Sequence, residues 1–239
     1  MLWGSMFQPE SEHRYFKFFQ SKTAAQLSGY FDTDIWERLI LQACEHEEFA
    51  RHGVLALSAL NKTIETVSAG TDSPGSLEKN YQIARSHHEA ALKHYAKSLR
   101  LMRLRTADIH DEYHLRNLLV SCLLTICFEN YHGNEELALA QAVSGIKLLA
   151  EFQEQRSSNS ITTSFGFSII DPELINAFMR LEIAVMMAME SIPRTKPFVS
   201  PLPTGHQSTE QHSFGIPHLE GSAVLLGYHD PSNHSLVPR

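Results

Sequence analysis

Apolar residues return every three or four positions through most of residues 10–190, a pattern that predicts helices and no convincing strand. Residues 11–28 form an opening helix with "YFKFF" as its apolar patch. In "FDTDIWERLILQACEH", Ile35, Trp36, Leu39, Ile40, Ala43 and Cys44 share one face. Asp34 with Glu37 three residues on reads as a capping box at that helix's start. Phe49, Gly53, Ala56, Leu57, Leu60, Ile64 and Val67 line one side of the next helix, which ends at "SAGTDSPGS" (68–76), a loop by composition. The clearest stripe is in 78–104, where Tyr81, Ala84, His88, Ala91, Leu92, Tyr95, Leu99 and Met102 line up and Arg85, Lys93, Lys97, Arg100 and Arg103 face away.

Residues 112–131 are apolar all round at their centre, which predicts a helix buried on every side. "YHGN" then turns the chain, and 135–153 returns with Ala138, Ala142 and Gly145 as a narrow face, so the pair reads as an antiparallel hairpin. Residues 154–170 are polar, Ser-rich and expected to be irregular. Asp171, Pro172 and Glu173 supply an N-cap, a proline at the first helical position and an acid suited to the helix dipole, opening a last helix that runs to about Ser191. The expected fold class is all-α, a solenoid-like or irregular bundle of stacked antiparallel hairpins with about seven helices and no fixed repeat period. Residues 1–10 read as an extension, with "GSM" as a cloning scar; 11–191 read as the helical domain. The stretch 192–239 reads as a Pro-rich tail whose final "SLVPR" resembles the remnant of a protease site.

Composition narrows the classes. With 43% hydrophobic residues in 239, the chain can bury a sizeable core. Lys and Arg total 20 against 27 Asp and Glu, and the formal charge of −7 with no basic cluster argues against direct contact with nucleic acid. Cys44, Cys122 and Cys127 are scattered and form no C-x-x-C pair, so a structural zinc knuckle is not expected and a reducing compartment, nucleus or cytoplasm, is. The longest apolar run, "LLVSCLLTICF" (118–128), is well short of the ~20 residues of a membrane span, so no membrane partner is expected.

The stretch "YFKFFQSKTAAQLSGYFDTDIWERLILQACEHEEFARHGVLALSAL" resembles the start of the fungal-specific regulatory (middle homology) domain of zinc-cluster (Zn2Cys6) transcription factors. "LLVSCLLTICFENYHGNEELALAQAVSGIKLL" is similar to that domain's central hairpin, and "AFMRLEIAVMMAM" to a third block, covering roughly residues 14–190 in order. The resemblance implies an all-α domain that regulates transcription by dimerisation and protein partners, in some members with an apolar small-molecule effector. The six-cysteine cluster itself is absent from these residues, so its DNA-binding role transfers to none of them. The contrasting expectation is an all-helical enzyme of fungal secondary metabolism on the same fold, a terpenoid-type cyclase or isomerase acting on an apolar or prenyl substrate.

Candidate chemistry is sparse. Asp32, Asp34 and Glu37 form D-x-D-x-x-E, three oxygen ligands that would hold Mg²⁺ in the enzyme reading; in the regulatory reading they are an acid-rich first turn and the chain needs no catalytic residue, metal or cofactor. Glu129, Glu135 and Glu136 are the only central acids that would complete such a site. "HEEFA" (46–50) lacks the second histidine of a zinc-protease motif and reads as a polar helix start. His87, His88 and His94 show neither the i,i+3 or i,i+4 geometry of a metal pair nor a third ligand from elsewhere, so packing or solvation is the expected role. His110 and His114, four apart in "HDEYH", could bind a metal with Asp111 or Glu112, but at a helix start capping is the expected role. Met179, Met186, Met187 and Met189 crowd one helix with Phe178, a composition suited to a variable apolar ligand. Ser121 and Thr125, one turn apart in the buried run, are the polar groups that would orient such a ligand; otherwise they bond back to helix carbonyls. The expected ligand-binding set is therefore Ser121, Thr125, Phe178, Met179, Met186 and Met189.

Overall fold

The computed structural model describes residues 10–29, 31–69, 74–105, 112–159 and 170–191. Among them every regular element is helical, and there are seven continuous helices with no strand. Helix α1 runs through Glu10–Phe18, a wide π turn at Phe19–Thr23 and Ala24–Leu27. Helix α2 begins with a similar π turn, Ile35–Leu39, and continues as Ile40–His46. The others are α3 (Glu48–Ser68), α4 (Pro74–Arg105), α5 (Glu112–His132), α6 (Glu135–Asn159) and α7 (Pro172–Ser191).

Helix α3 is the hub. The sequence pattern assigns it one apolar face, yet Phe49, Ala50 and everything from His52 to Asn61 are buried. Helices α1, α2, α4 and α5 all pack on it, and together they bury the stretch 52–61 on every side. Small residues make this possible. A Cβ added to Gly53 would lie 2.9 Å from Leu124 Cδ1 and 3.4 Å from Ser98 Oγ, so glycine lets α4 and α5 approach closely. Ser98 Oγ also donates to the Phe49 carbonyl at 2.8 Å, and Ser58 Oγ to that of Tyr15 at 2.5 Å, each tying a neighbour to α3.

The all-round burial expected of α5 is present: every residue from Leu119 to Asn130 is buried. Its end is a Schellman turn. Gly133 adopts φ 87°, the Asn134 N–H donates to the Glu129 carbonyl at 2.8 Å, and the Gly133 N–H to that of Asn130 at 3.2 Å. This closes the α5–α6 hairpin read from "YHGN". Ala138, Ala142 and Gly145 are all buried, as their narrow face implies. A Cβ on Gly145 would fall 2.3 Å from Phe178 Cε1, so the Phe178 ring of α7 lies directly on the α6 backbone. From α3 outward, α5, α6 and α7 follow one another as packed neighbours.

Several local expectations change. Helix α6 continues to Asn159, six residues into the stretch expected to be irregular. The cap of α2 is Asp32, whose Oδ1 accepts the Asp34 N–H at 3.2 Å; Asp34 makes no capping bond with its side chain, so no Asp34–Glu37 capping box forms. On α4, Tyr81 and Leu92 are exposed, and the inward face carries Ala84, His87, His88, Ala91, His94, Tyr95 and Ser98. The 3.6-residue period runs through both sets, and only packing against α3 selects the second. Of the extension read as 1–10, Glu10 already opens α1; residues 1–9 and the tail 192–239 lie outside the described residues.

Candidate functional site

Helix α7 is held firmly at its start and left open along one side. Pro172 sits at the first helical position, and the Asp171 carbonyl accepts the Leu174 and Ile175 N–H groups at 3.0 and 3.2 Å. The Asp171 carboxylate takes Arg116 Nε at 2.7 Å and Arg38 Nη1 at 3.3 Å, and Arg38 Nη2 reaches Glu173 at 3.3 Å. One carboxylate thus pins α7 to α5 and α2, a role that the N-cap reading of Asp171 did not contain. Leu174, Ala177, Phe178, Leu181 and Val185 face inward and are buried. On the opposite side Met179, Ile183, Met186 and Met187 are 56%, 56%, 54% and 65% exposed. Their spacing of four, three and one draws an exposed apolar stripe along the helix.

The six residues expected to bind a ligand are therefore divided. Ser121, Thr125 and Phe178 are packed in the interior, whereas Met179 and Met186 face solvent, and the Met189 side chain lies outside the described residues. Ser121 Oγ donates to the Met102 sulfur, a contact between α5 and α4 in place of the expected bond to its own helix. Asp32, Asp34 and Glu37 are all exposed at the mouth of α2. Glu129 is buried, accepts the Tyr95 hydroxyl at 2.5 Å and takes Asn134 Nδ2 at 2.7 Å, while Glu135 and Glu136 are exposed at the start of α6. Glu47 of "HEEFA" stands between α2 and α3 with its carboxylate buried, accepting Tyr113 Oη at 2.8 Å and Asn117 Nδ2 at 3.0 Å, a packed version of the polar helix start. The three thiols are free and buried, and burial pushes each of them up, in keeping with cysteines that serve as small hydrophobes.

The inner face of α4 carries a seam of imidazoles, each meeting a residue from another helix. Tyr15 Oη and His87 Nδ1 are 2.7 Å apart. His88 Nε2 and His132 Nε2 are 3.1 Å apart, with their rings stacked. His52 Nδ1 and His94 Nδ1 are 2.9 Å apart, also stacked. Burial holds His52 and His94 down at about 4, and lowers His87 and His88 as well. Helical spacing places His87 and His94 on one side of α4, but His52 arrives from a helix 42 positions away and no local pattern announces it. His110 and Asp111, of the "HDEYH" string, lie outside the described residues.

Residues 14–222 match the family described as the fungal specific transcription factor domain. The chain belongs to that family. No curated protein and no solved structure gave a significant match. Membership supports a regulatory role for this fungal transcription factor domain, and its all-helical build agrees with the resemblance drawn from residues 14–190. Among the described residues, no helix is long and apolar enough to cross a membrane.

Proposed function

We propose that this fungal transcription factor domain is the regulatory part of a nuclear zinc-cluster regulator. It acts by pairing with a second copy through the outer face of α7. The family match across residues 14–222 carries the regulatory reading. The exposed apolar side chains of Met179, Ile183 and Met186, with Met187 beside them, support the choice of surface. Four large apolar side chains in a row cost free energy in water, and two copies related by a two-fold axis would cover them mutually. Methionine suits such a contact because its flexible thioether adapts to an imperfect partner. Helix α7 is pinned through Asp171, so the stripe is presented on a rigid element. An apolar effector lodged at Ser121, Thr125 and Phe178 would have to open the packing around them, and it would bias pairing only by binding one state better than the other.

The test has two parts. Analytical ultracentrifugation at micromolar concentrations should find a dimer, and Met179→Glu combined with Met186→Glu should give a monomer of unchanged helicity, since both side chains are exposed. Fused to an unrelated DNA-binding domain, the chain should alter reporter transcription, and the paired substitution should remove that effect. A wild-type chain that stays monomeric at tens of micromolar overturns the choice of surface, and a fusion without transcriptional effect overturns the regulatory reading.

A further inference from the structure

We propose that Glu12, His52 and His94 form a binding site for one divalent transition-metal ion of the zinc type, clamping α1 onto the α3–α4 pair. One carboxylate oxygen and one nitrogen from each ring all lie within 4.8 Å of one another. Among the described residues this is the only group of three or more histidine, cysteine or acidic ligands that converges so closely. The three arrive from three helices and from sequence positions far apart; Glu12 belongs to the acidic first turn of α1, but no local element accounts for its meeting with His52 and His94.

The geometry is close to what zinc needs. Zn–N bonds of about 2.0–2.1 Å in a tetrahedron put two ligand nitrogens about 3.3 Å apart. The two Nδ1 atoms stand 2.9 Å apart, so they need to part by only a few tenths of an ångström. The far side of His52 also fits: its Nε2 lies 3.6 Å from Glu48 Oε1, and a carboxylate behind a ligating imidazole fixes its tautomer and strengthens it as a donor. Glu48 is in turn held by Lys97 Nζ at 3.0 Å. Glu12 makes no hydrogen bond or ion pair with any described residue, and burial raises it despite the nearby Lys97 and Lys93. An ion would give that partly desolvated carboxylate a partner.

The surrounding charges select the kind of ion. Lys93, Lys97 and Arg51 all bear on the two histidines and oppose a cation. Lys97 is engaged by Glu48, and Arg51 Nη1 is turned toward the Cys44 carbonyl at 2.9 Å. A hard ion such as Mg²⁺ or Ca²⁺, which wants six or more oxygens, finds a single carboxylate here. Zinc, bound through neutral imidazole lone pairs, suits two nitrogens and one oxygen, with a water in the fourth position.

The experiment uses the full chain stripped by a chelator and then dialysed. Titration with Zn²⁺ should show saturable uptake of one ion per chain with micromolar or tighter affinity, and excess Zn²⁺ should raise Tm on the order of 5 °C. Mg²⁺ should do neither. Co²⁺ in place of Zn²⁺ should develop the intense visible bands of a four-coordinate site. His94→Asn and Glu12→Gln should each abolish the one-to-one uptake and the cobalt bands, whereas His132→Asn, at the neighbouring imidazole pair, should retain both. Glu12 is only partly buried, so its variant separates loss of metal from loss of fold, and circular dichroism checks both. Uptake that never saturates at one ion, or that survives His94→Asn or Glu12→Gln, overturns the site.

Discussion

Replacing Gly145 with alanine tests how α7 is seated. Alanine in the middle of a helix is ordinarily better than glycine by about 1 kcal/mol, because the unfolded glycine is freer. Here the new methyl would meet Phe178 Cε1 at 2.3 Å, where carbon atoms prefer about 3.5–4.0 Å. The ring is 1% exposed and has no open space in which to swing aside. Overpacking of this kind costs about 1–3 kcal/mol, which outweighs the gain in helix propensity. The expected net effect is a loss of about 1 kcal/mol, seen as a fall in Tm of about 2–4 °C for a domain of this size. Phe178→Leu removes the clashing edge at the cost of a cavity, and in that background Gly145→Ala should become stabilising. The coupling between the two changes should then be about 2 kcal/mol by urea denaturation followed by circular dichroism. If Gly145→Ala stabilises the parent chain as much as it does Phe178→Leu, the ring does not rest on the α6 backbone.

Two further outcomes follow from the polar contacts. Asp171→Asn should cost about 1–3 kcal/mol, because Arg116 loses its partner in a half-buried position and α7 loses its tie to α5 and α2. Lys147→Met, which breaks an exposed pair with Glu151 at 3.7 Å, should change stability by less than about 0.5 kcal/mol in the same denaturation; equal effects would show that the Asp171 contacts do not anchor the helix. The imidazoles predict acid sensitivity. Burial lowers His87, beside Tyr15 and Lys62, and His88, beside His132 and Glu89, so the unfolded chain binds more protons than the folded one. Their contribution is complete above the ordinary histidine value of about 6.5 and is lost as pH falls below it. Under metal-free conditions His52 and His94, held at about 4, add in the same direction. Tm should therefore drop between pH 7 and pH 5, and His88→Gln should flatten that slope; a Tm that holds steady or rises toward pH 5 contradicts the burial of these rings.

Helix type and order were legible because they are local. Apolar spacing fixes a face, Pro172 with Glu173 marks a start, and Gly133 marks a stop, each signal lying within a few residues of the helix feature it sets. The uniform apolar character of 118–128 was enough to predict a helix buried on every side, since no polar side remains to face water. Burial of α3 all round was not legible, because its covering comes from α1, α2, α4 and α5 and depends on the small residues Gly53 and Ser58 at crossings that sequence distance hides. The same limit applied to chemistry. Neighbouring acids such as Asp32, Asp34 and Glu37 look like a site on paper and end up exposed to solvent, while Glu12, His52 and His94 share no motif and converge.

By itself, then, the sequence determined that this protein has an all-α fold, is acidic and is of a regulatory family, since periodicity, composition and distributed packing patterns are written residue by residue along the chain. Tertiary structure alone decided which methionines face water, what Asp171 holds, and which histidines meet, because each depends on the angle and separation at which two distant helices pack.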